Sequence, residues 1–257
     1  MIFELKNLAG FFANNKTTIL LSSVVFFFAC SPVGAAAQKR FMKSYPASKN
    51  VRLQLTNRTG TVTVEGWDRA EVKIYAEMES PAANLEPQNL SGTININLVK
   101  DNQGRTEVGN VNFLIKVPFS SSVDIETLMG NLNVKDVGGG LVRAHITSDG
   151  DITLTNISAN AVAAENGMGD IFFDGELGRE GLYSFKSMRG NINLRIPFNS
   201  SFRLVATAPS TRSIRLGSFN GSGVNFGDGR RVVGKFGDGS ASLNVTNQRG
   251  SITFISR

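Results

Sequence analysis

The chain has 257 residues, with one histidine, one cysteine, 27 glycines and a net charge of +6. A lone histidine gives a Ser-His-Asp triad or a multi-histidine metal centre almost nowhere to start, and a lone cysteine excludes an internal disulfide framework. The charge suits a soluble chain that visits anionic surfaces, and by itself it does not indicate nucleic-acid binding.

Residues 1–37 read as a secretory signal peptide. Lys6 and Lys16 make a basic start, Ile19–Ala29 is an uncharged apolar run, and Ala35-Ala36-Ala37 supplies an A-x-A site before Gln38-Lys39-Arg40. The apolar run is well short of the ~20 residues of a membrane span. Cleavage after Ala37 would remove Cys30 and leave a mature chain without cysteine. The alternative is a lipoprotein with Phe27-Phe28-Ala29-Cys30 as its lipobox, and an acylated Cys30 is the one route by which membrane attachment is expected here.

The mature part is rich in Gly, Asn, Ser, Thr, Val, Ile and Phe, a β composition. Residues 38–117 form an N-terminal β segment with strand-like runs at Val51–Leu55, Gly60–Val64, Glu71–Met78, Thr93–Lys100 and Asn110–Val117. Glu79–Ser91, with two prolines, reads as a surface loop.

Six segments align on one glycine: NRTGTVTV around Gly60, TLMGNLNV around Gly130, TSDGDITL around Gly150, NGMGDIFF around Gly169, SMRGNINL around Gly190 and NQRGSITF around Gly250. Three positions before the glycine stands Asn, Thr or Ser. Two and four positions after it stand apolar residues, as in Val62/Val64 and Ile192/Leu194. A second alternating run precedes the turn, as in Leu53/Leu55 and Tyr183/Phe185. Each unit is therefore strand, turn, glycine, strand, with one face buried. The glycine supplies positive φ, and the Asn, Thr or Ser braces the turn. Recurrence of Gly130, Gly150, Gly169 and Gly190 about every 20 residues predicts stacking, because one unit cannot bury its apolar face alone. The fold class is all-β, a β-solenoid of parallel β-helix type over 118–257; the alternative is an antiparallel sandwich with regular turns.

One unit is irregular. Alternation puts Val142, Ala144 and Ile146 inside, whereas counting back from Gly150 puts Arg143 and His145 inside. Either the turn is one residue shorter or the strand carries a bulge; the shorter turn is the reading adopted, because it buries three apolar residues. Residues 199–236 form a Gly/Ser/Arg-rich insertion between the fifth and sixth units. The last unit stops three residues after Phe254 with no evident polar cap, which leaves end-to-end self-association open.

These motifs resemble the bacterial "putative adhesin" family of exported β-strand-repeat proteins, of the DUF4097 type. The likeness lies in Asn57–Asp68 followed by Glu71–Ile74, in Val117-Pro118 leading into Val123–Thr127, and in Phe236-Gly237-Asp238-Gly239 before Leu243–Phe254. It implies a right-handed β-solenoid with an N-terminal β segment, and it transfers no catalytic residue.

Chemistry is sparse. His145 is the only ordinary near-neutral acid or base. Asp151 and Asp170 occupy equivalent places on neighbouring units, between Asn131 and Asn191, so in-register stacking makes an Asn-Asp-Asp-Asn ladder. Two carboxylates so close could share a Ca²⁺ or contact a sugar; the plainer reading is a solvated, hydrogen-bonded corner. Phe226–Gly229 and Phe236–Gly239 lack the Ca²⁺-binding nonapeptide frame and read as tight turns. No nucleotide-binding loop occurs, and no cofactor is expected. Arg203, Arg212, Arg215, Arg230, Arg231 and Lys235 crowd the insertion, a candidate anion-binding patch; without interleaved aromatics, nucleic acid is not the expected partner.

The expected protein is exported to the periplasm, envelope or surface, and is a non-catalytic, adhesin-like module that contacts an envelope polysaccharide or a surface protein. The competing readings are a polysaccharide-active β-helix enzyme using carboxylates, and a self-assembling scaffold.

Overall fold

Parallel strands in register dominate the structure, a computed structural model that describes residues 38–221, 223–227 and 229–257. The expected signal peptide and Cys30 lie outside the described residues.

The chain opens with β1 (Lys39–Pro46), β2 (Arg52–Thr59), β3 (Val62–Trp67) and β4 (Glu71–Met78). Next come β5 (Gln88–Leu90), β6 (Thr93–Asn97), a helical turn α1 (Leu98–Asp101) and β7 (Val111–Pro118). The expected strand over Thr93–Lys100 therefore ends early, where the Asn97 side chain accepts the Lys100 N–H and starts α1. The regular units follow as β8 (Ser122–Met129) with β9 (Leu132–Lys135), β10 (Leu141–Asp149) with β11 (Ile152–Ile157), β12 (Ala161–Met168) with β13 (Ile171–Gly175), and β14 (Leu182–Arg189) with β15 (Ile192–Ile196). The chain closes through β16 (Phe202–Thr207), β17 (Ile214–Arg215), β18 (Val224–Phe226), β19 (Arg231–Phe236), β20 (Ala241–Asn247) and β21 (Ile252–Ser256).

Two sheets result. One runs β1-β4-β7-β3-β9-β11-β13-β15-β21-β17, and the other β18-β19-β16-β20-β14-β12-β10-β8-β2-β6-β5. Each unit gives one strand to each sheet, with the glycine turn between them, so each unit is one rung. Partners align residue for residue, Leu53 with Val123, Val142 with Val162 and Tyr183 with Leu243. Alternation then delivers every second residue to one interior. Val123, Ile125, Leu132, Val134, Phe173, Phe185, Ile192 and Leu194 are all essentially inaccessible. In the β12/β13 rung Val162 and Ala164 are small, and the Phe173 ring packs 5.0 Å from that of Phe185 on the next rung. Size is balanced between rungs as well as within them. All of this described core lies within one compact unit, Ala36–Arg257.

The order of rungs is not the order of the chain. β6/β7 lies outside β2/β3, so the N-terminal segment supplies two rungs of the same stack, and the line drawn at 117/118 divides segments that share both sheets. At the other end, β16 and β17 pair with β20 and β21, which in turn pair with β14 and β15. The last unit is thus interior. The Gly/Ser-rich insertion builds the rung beyond it, together with the antiparallel strands β19 and β18. Phe202, Phe219, Phe236 and Phe254 close this end as an aromatic plug, with Phe202 and Phe236 stacked 4.5 Å apart. Opposite, β1 and β4 run antiparallel beyond β7, and β5 antiparallel beyond β6.

The irregular unit buries Val142, Ala144 and Ile146 as alternation requires, but through a bulge and not a shorter turn. Ile146 pairs with Asn166 and Asp149 with Met168, so β10 carries one extra residue before Gly150. Ile146 consequently takes the column that Asn57, Thr127, Asn166, Ser187 and Asn247 occupy elsewhere, and Thr147 is exposed.

Candidate functional site

The two aspartates sit on the turn edge, each just after a turn glycine. Asp151 Oδ1 accepts the backbone N–H of Asp170 at 2.7 Å, and Asp170 Oδ1 accepts that of Asn191 at 2.6 Å. Asn131 does the same for Asp151 at 2.9 Å, and Asn191 for Ser251 at 3.2 Å. The ladder foreseen from the repeat exists, and each step ties one rung to the next through an N–H otherwise left without a strand partner. Among the described residues no three His, Cys, Asp or Glu side chains converge as a metal site requires. The Asp151→Asn/Asp170→Asn double variant keeps every acceptor, as Asn131 shows, and should melt within a few degrees of the parent. Asp151→Ala removes one charge-assisted bond at an exposed corner and should cost about 1 kcal/mol. Thermal melts with and without Ca²⁺ check both; a Ca²⁺-dependent rise that the double variant lacks would restore the cation reading.

His145 lies on the outer face of β10, its Nδ1 4.0 Å from Glu126 Oε1. Next to it Asp124 receives Arg143 at 2.6 Å and Arg52 at 3.2 Å. These are solvent-facing ion pairs across three rungs, an arrangement that carries little stability and assembles no acid–base pair around a cleft.

The six basic residues of the insertion do not form one patch. Arg203 and Lys235 stand directly opposite each other on β16 and β19, and Arg231 lies on the same outer face of β19. Arg230 instead turns its Nε to the Ala208 carbonyl at 3.3 Å. Arg215 belongs to β17 on the other sheet, and Arg212 lies in the short helical turn just before it. No described acidic side chain pairs with any of the six. Beside Arg203 opens a depression of about 690 Å³ that Arg179, Glu180 and Asp238 also line. Hydrogen bonds from the Ser240 hydroxyl and backbone N–H hold the Asp238 carboxyl below its ordinary range, with the Arg179 guanidinium 3.4 Å away assisting. The depression is thus balanced in charge, and the excess of cations lies above it on β16 and β19.

A family model described as Toastrack DUF4097 matches residues 36–253. The chain belongs to this family. Its Toastrack fold is shared with a solved structure titled a "putative cell adhesion protein" from Clostridium sporogenes, with TM-score 0.54 at 11% identity, covering 86% of this chain and all of that one. A "putative adhesin" from Bacteroides fragilis is similar over 86% of this chain and 99% of its own, at 12% identity and TM-score 0.33. A "Putative lipid binding protein" from Parabacteroides distasonis is similar over 84% and 97%, at 11% identity and TM-score 0.31. No curated protein matches.

Two groups near the candidate residues could not be found from the Toastrack repeat. Arg179 and Glu180 lie in the loop before β14, far in sequence from Arg203, and only the strand order brings them together. Trp67, the sole tryptophan, donates its Nε1–H to the Glu71 carbonyl at 2.9 Å, with Arg69 over its ring at 5.0 Å. It ends the β3 strand at the rim of a small hollow lined also by Lys49 and Phe119.

Proposed function

We propose that this Toastrack protein is an exported, non-catalytic, adhesin-like module of the cell envelope, and that its partner is an acidic envelope polysaccharide. The observation that carries the reading is the outer face of β16 and β19, where Arg203, Lys235 and Arg231 present cations with no described acidic partner. Such a face has a positive potential that lowers the energy of a polyanion held against its three cations. The A-x-A leader supports export. The carboxylates that could have served a glycosidase support it too, since Asp151 and Asp170 bind backbone N–H groups along an open edge.

Cell fractionation and co-sedimentation of the purified protein with acidic wall polymer test it. Recovery from the envelope fraction is expected, and the Arg203→Glu/Lys235→Glu variant should pellet about tenfold less, with the remaining binding falling as salt rises. Recovery from cytosol alone would overturn the export reading. Pelleting unchanged by the double variant would overturn the assignment of this face.

A further inference from the structure

The turn edge carries a second feature that the glycine repeat does not require. The two residues before each turn glycine stack into two columns along the rungs. One column reads Arg58, Leu128, Ser148, Gly167, Met188, Gln248, and the other Thr59, Met129, Asp149, Met168, Arg189, Arg249, in the spatial order of their strands.

These positions lie beyond the buried face of every strand, so nothing in the core demands apolar residues there. Yet Leu128 is 49% exposed, Met129 45%, Met168 39% and Met188 58%. Interleaved with them are Arg58, Arg189 and Arg249, none paired with a described acid, and Asp149 is the one acidic side chain in either column. Arg189 lies along the methionines, its Nη1 3.8 Å from the Met168 sulfur. Gly167 has no side chain, which opens a shallow groove of about 350 Å³ between Ser148 and Met188, lined by Met168, Arg189 and Arg249.

We infer that this ridge docks the protein on an anionic lipid surface, the apolar tips entering the headgroup boundary while the arginines meet the phosphates. Three arguments select a bilayer over another partner. The ridge is narrow: five rung spacings give about 24 Å of length, and at about 10 Å of width it covers far less than the ~800 Å² per side of a stable protein interface. Its apolar residues are flexible and stand at turn tips, Leu128 and Met129 together on one turn and Met168 and Met188 on two others, so they can insert without a complementary partner surface. Its charge is net positive, with Arg58, Arg189 and Arg249 against the single acid Asp149, and arginine can lay its stem on apolar tips while its head reaches phosphate. This surface is distinct from the β16/β19 face, and the two can be broken separately.

The test is sedimentation of residues 36–257, which hold the whole described core, with phosphatidylcholine vesicles made with and without phosphatidylglycerol. Using this segment removes the apolar leader as a source of binding. Binding is expected to the anionic vesicles alone. Arg189→Glu/Arg249→Glu should weaken it by about tenfold or more, and Met168→Ser/Met188→Ser severalfold, with unchanged thermal melts in both cases. Met188→Trp adds a second reading: its emission should shift to the blue on anionic vesicles, against the fixed Trp67 background. The inference is overturned if anionic vesicles do not bind, if the ridge variants bind like the parent, or if Arg203→Glu/Lys235→Glu abolishes vesicle binding instead. It is also overturned if the ridge variants lose acidic polysaccharide while keeping lipid.

Discussion

Removing residues 241–257 should abolish cooperative folding. In a stack that follows chain order, loss of the last rung only shortens the array, because each rung contacts just its neighbours. Here β20 and β21 lie between β14/β15 and β16/β17. Their deletion strips the ladder from Leu182–Ser187 and Ile192–Ile196 on one side and from Phe202–Thr207 and Ile214–Arg215 on the other. It also takes Leu243, Val245, Ile252 and Phe254 from the core. A dye for exposed apolar surface should bind strongly, and the urea transition should lose its sigmoid shape. A truncated chain that still melts cooperatively near the parent temperature would show that β16/β17 can dock directly on β14/β15.

The second large effect is expected at Gly190. Its φ is +125°, a region costly for L side chains, and a Cβ there would collide with the Gly169 carbonyl of the rung below. The same relation repeats from Gly60 through Gly130, Gly150, Gly169 and Gly190 to Gly250, each placed against the carbonyl of its predecessor from Gly130 onward. The glycines are therefore a packed column as well as a set of turns. Gly190→Ala combines backbone strain with overpacking against main chain that the ladder holds in place, and should cost about 3–5 kcal/mol in urea denaturation. Gly92 separates the two contributions. Its φ is +84° with nothing within 4 Å of an added Cβ, so Gly92→Ala should cost only about 1 kcal/mol. Equal losses at the two positions would mean that strain alone explains the repeat glycine.

The turn glycines and the polar residue after each of them were legible in the sequence because they depend on local rules. A residue that must adopt positive φ, a small polar residue just after it and a strand that must alternate all leave their mark within eight residues. The bulge at Ile146 was half legible: alternation named the buried residues, but a local count cannot distinguish a residue gained from a residue lost. The basic insertion was legible as a composition and not as a site. Its six cations are close in sequence, whereas the fold puts Arg203, Arg231 and Lys235 on one sheet and Arg215 on the other, leaves Arg212 and Arg230 outside the strands, and sets Arg203 beside Arg179.

By itself, then, the sequence determined the strand–turn–glycine–strand unit, its inward face, the polar residue after each turn glycine and the all-β class, since each follows from the chemistry of a few adjacent residues. Only the tertiary structure decided which rung lies against which. The rungs are so alike that any one could stack on any other by local criteria. The choice falls to nonlocal fits, the Phe202–Phe219–Phe236–Phe254 plug at one end and the antiparallel β1, β4 and β5 at the other. Those fits place the last unit inside the stack and align the turn residues into the Met/Arg ridge, because column neighbours are set by strand pairing and not by distance along the chain.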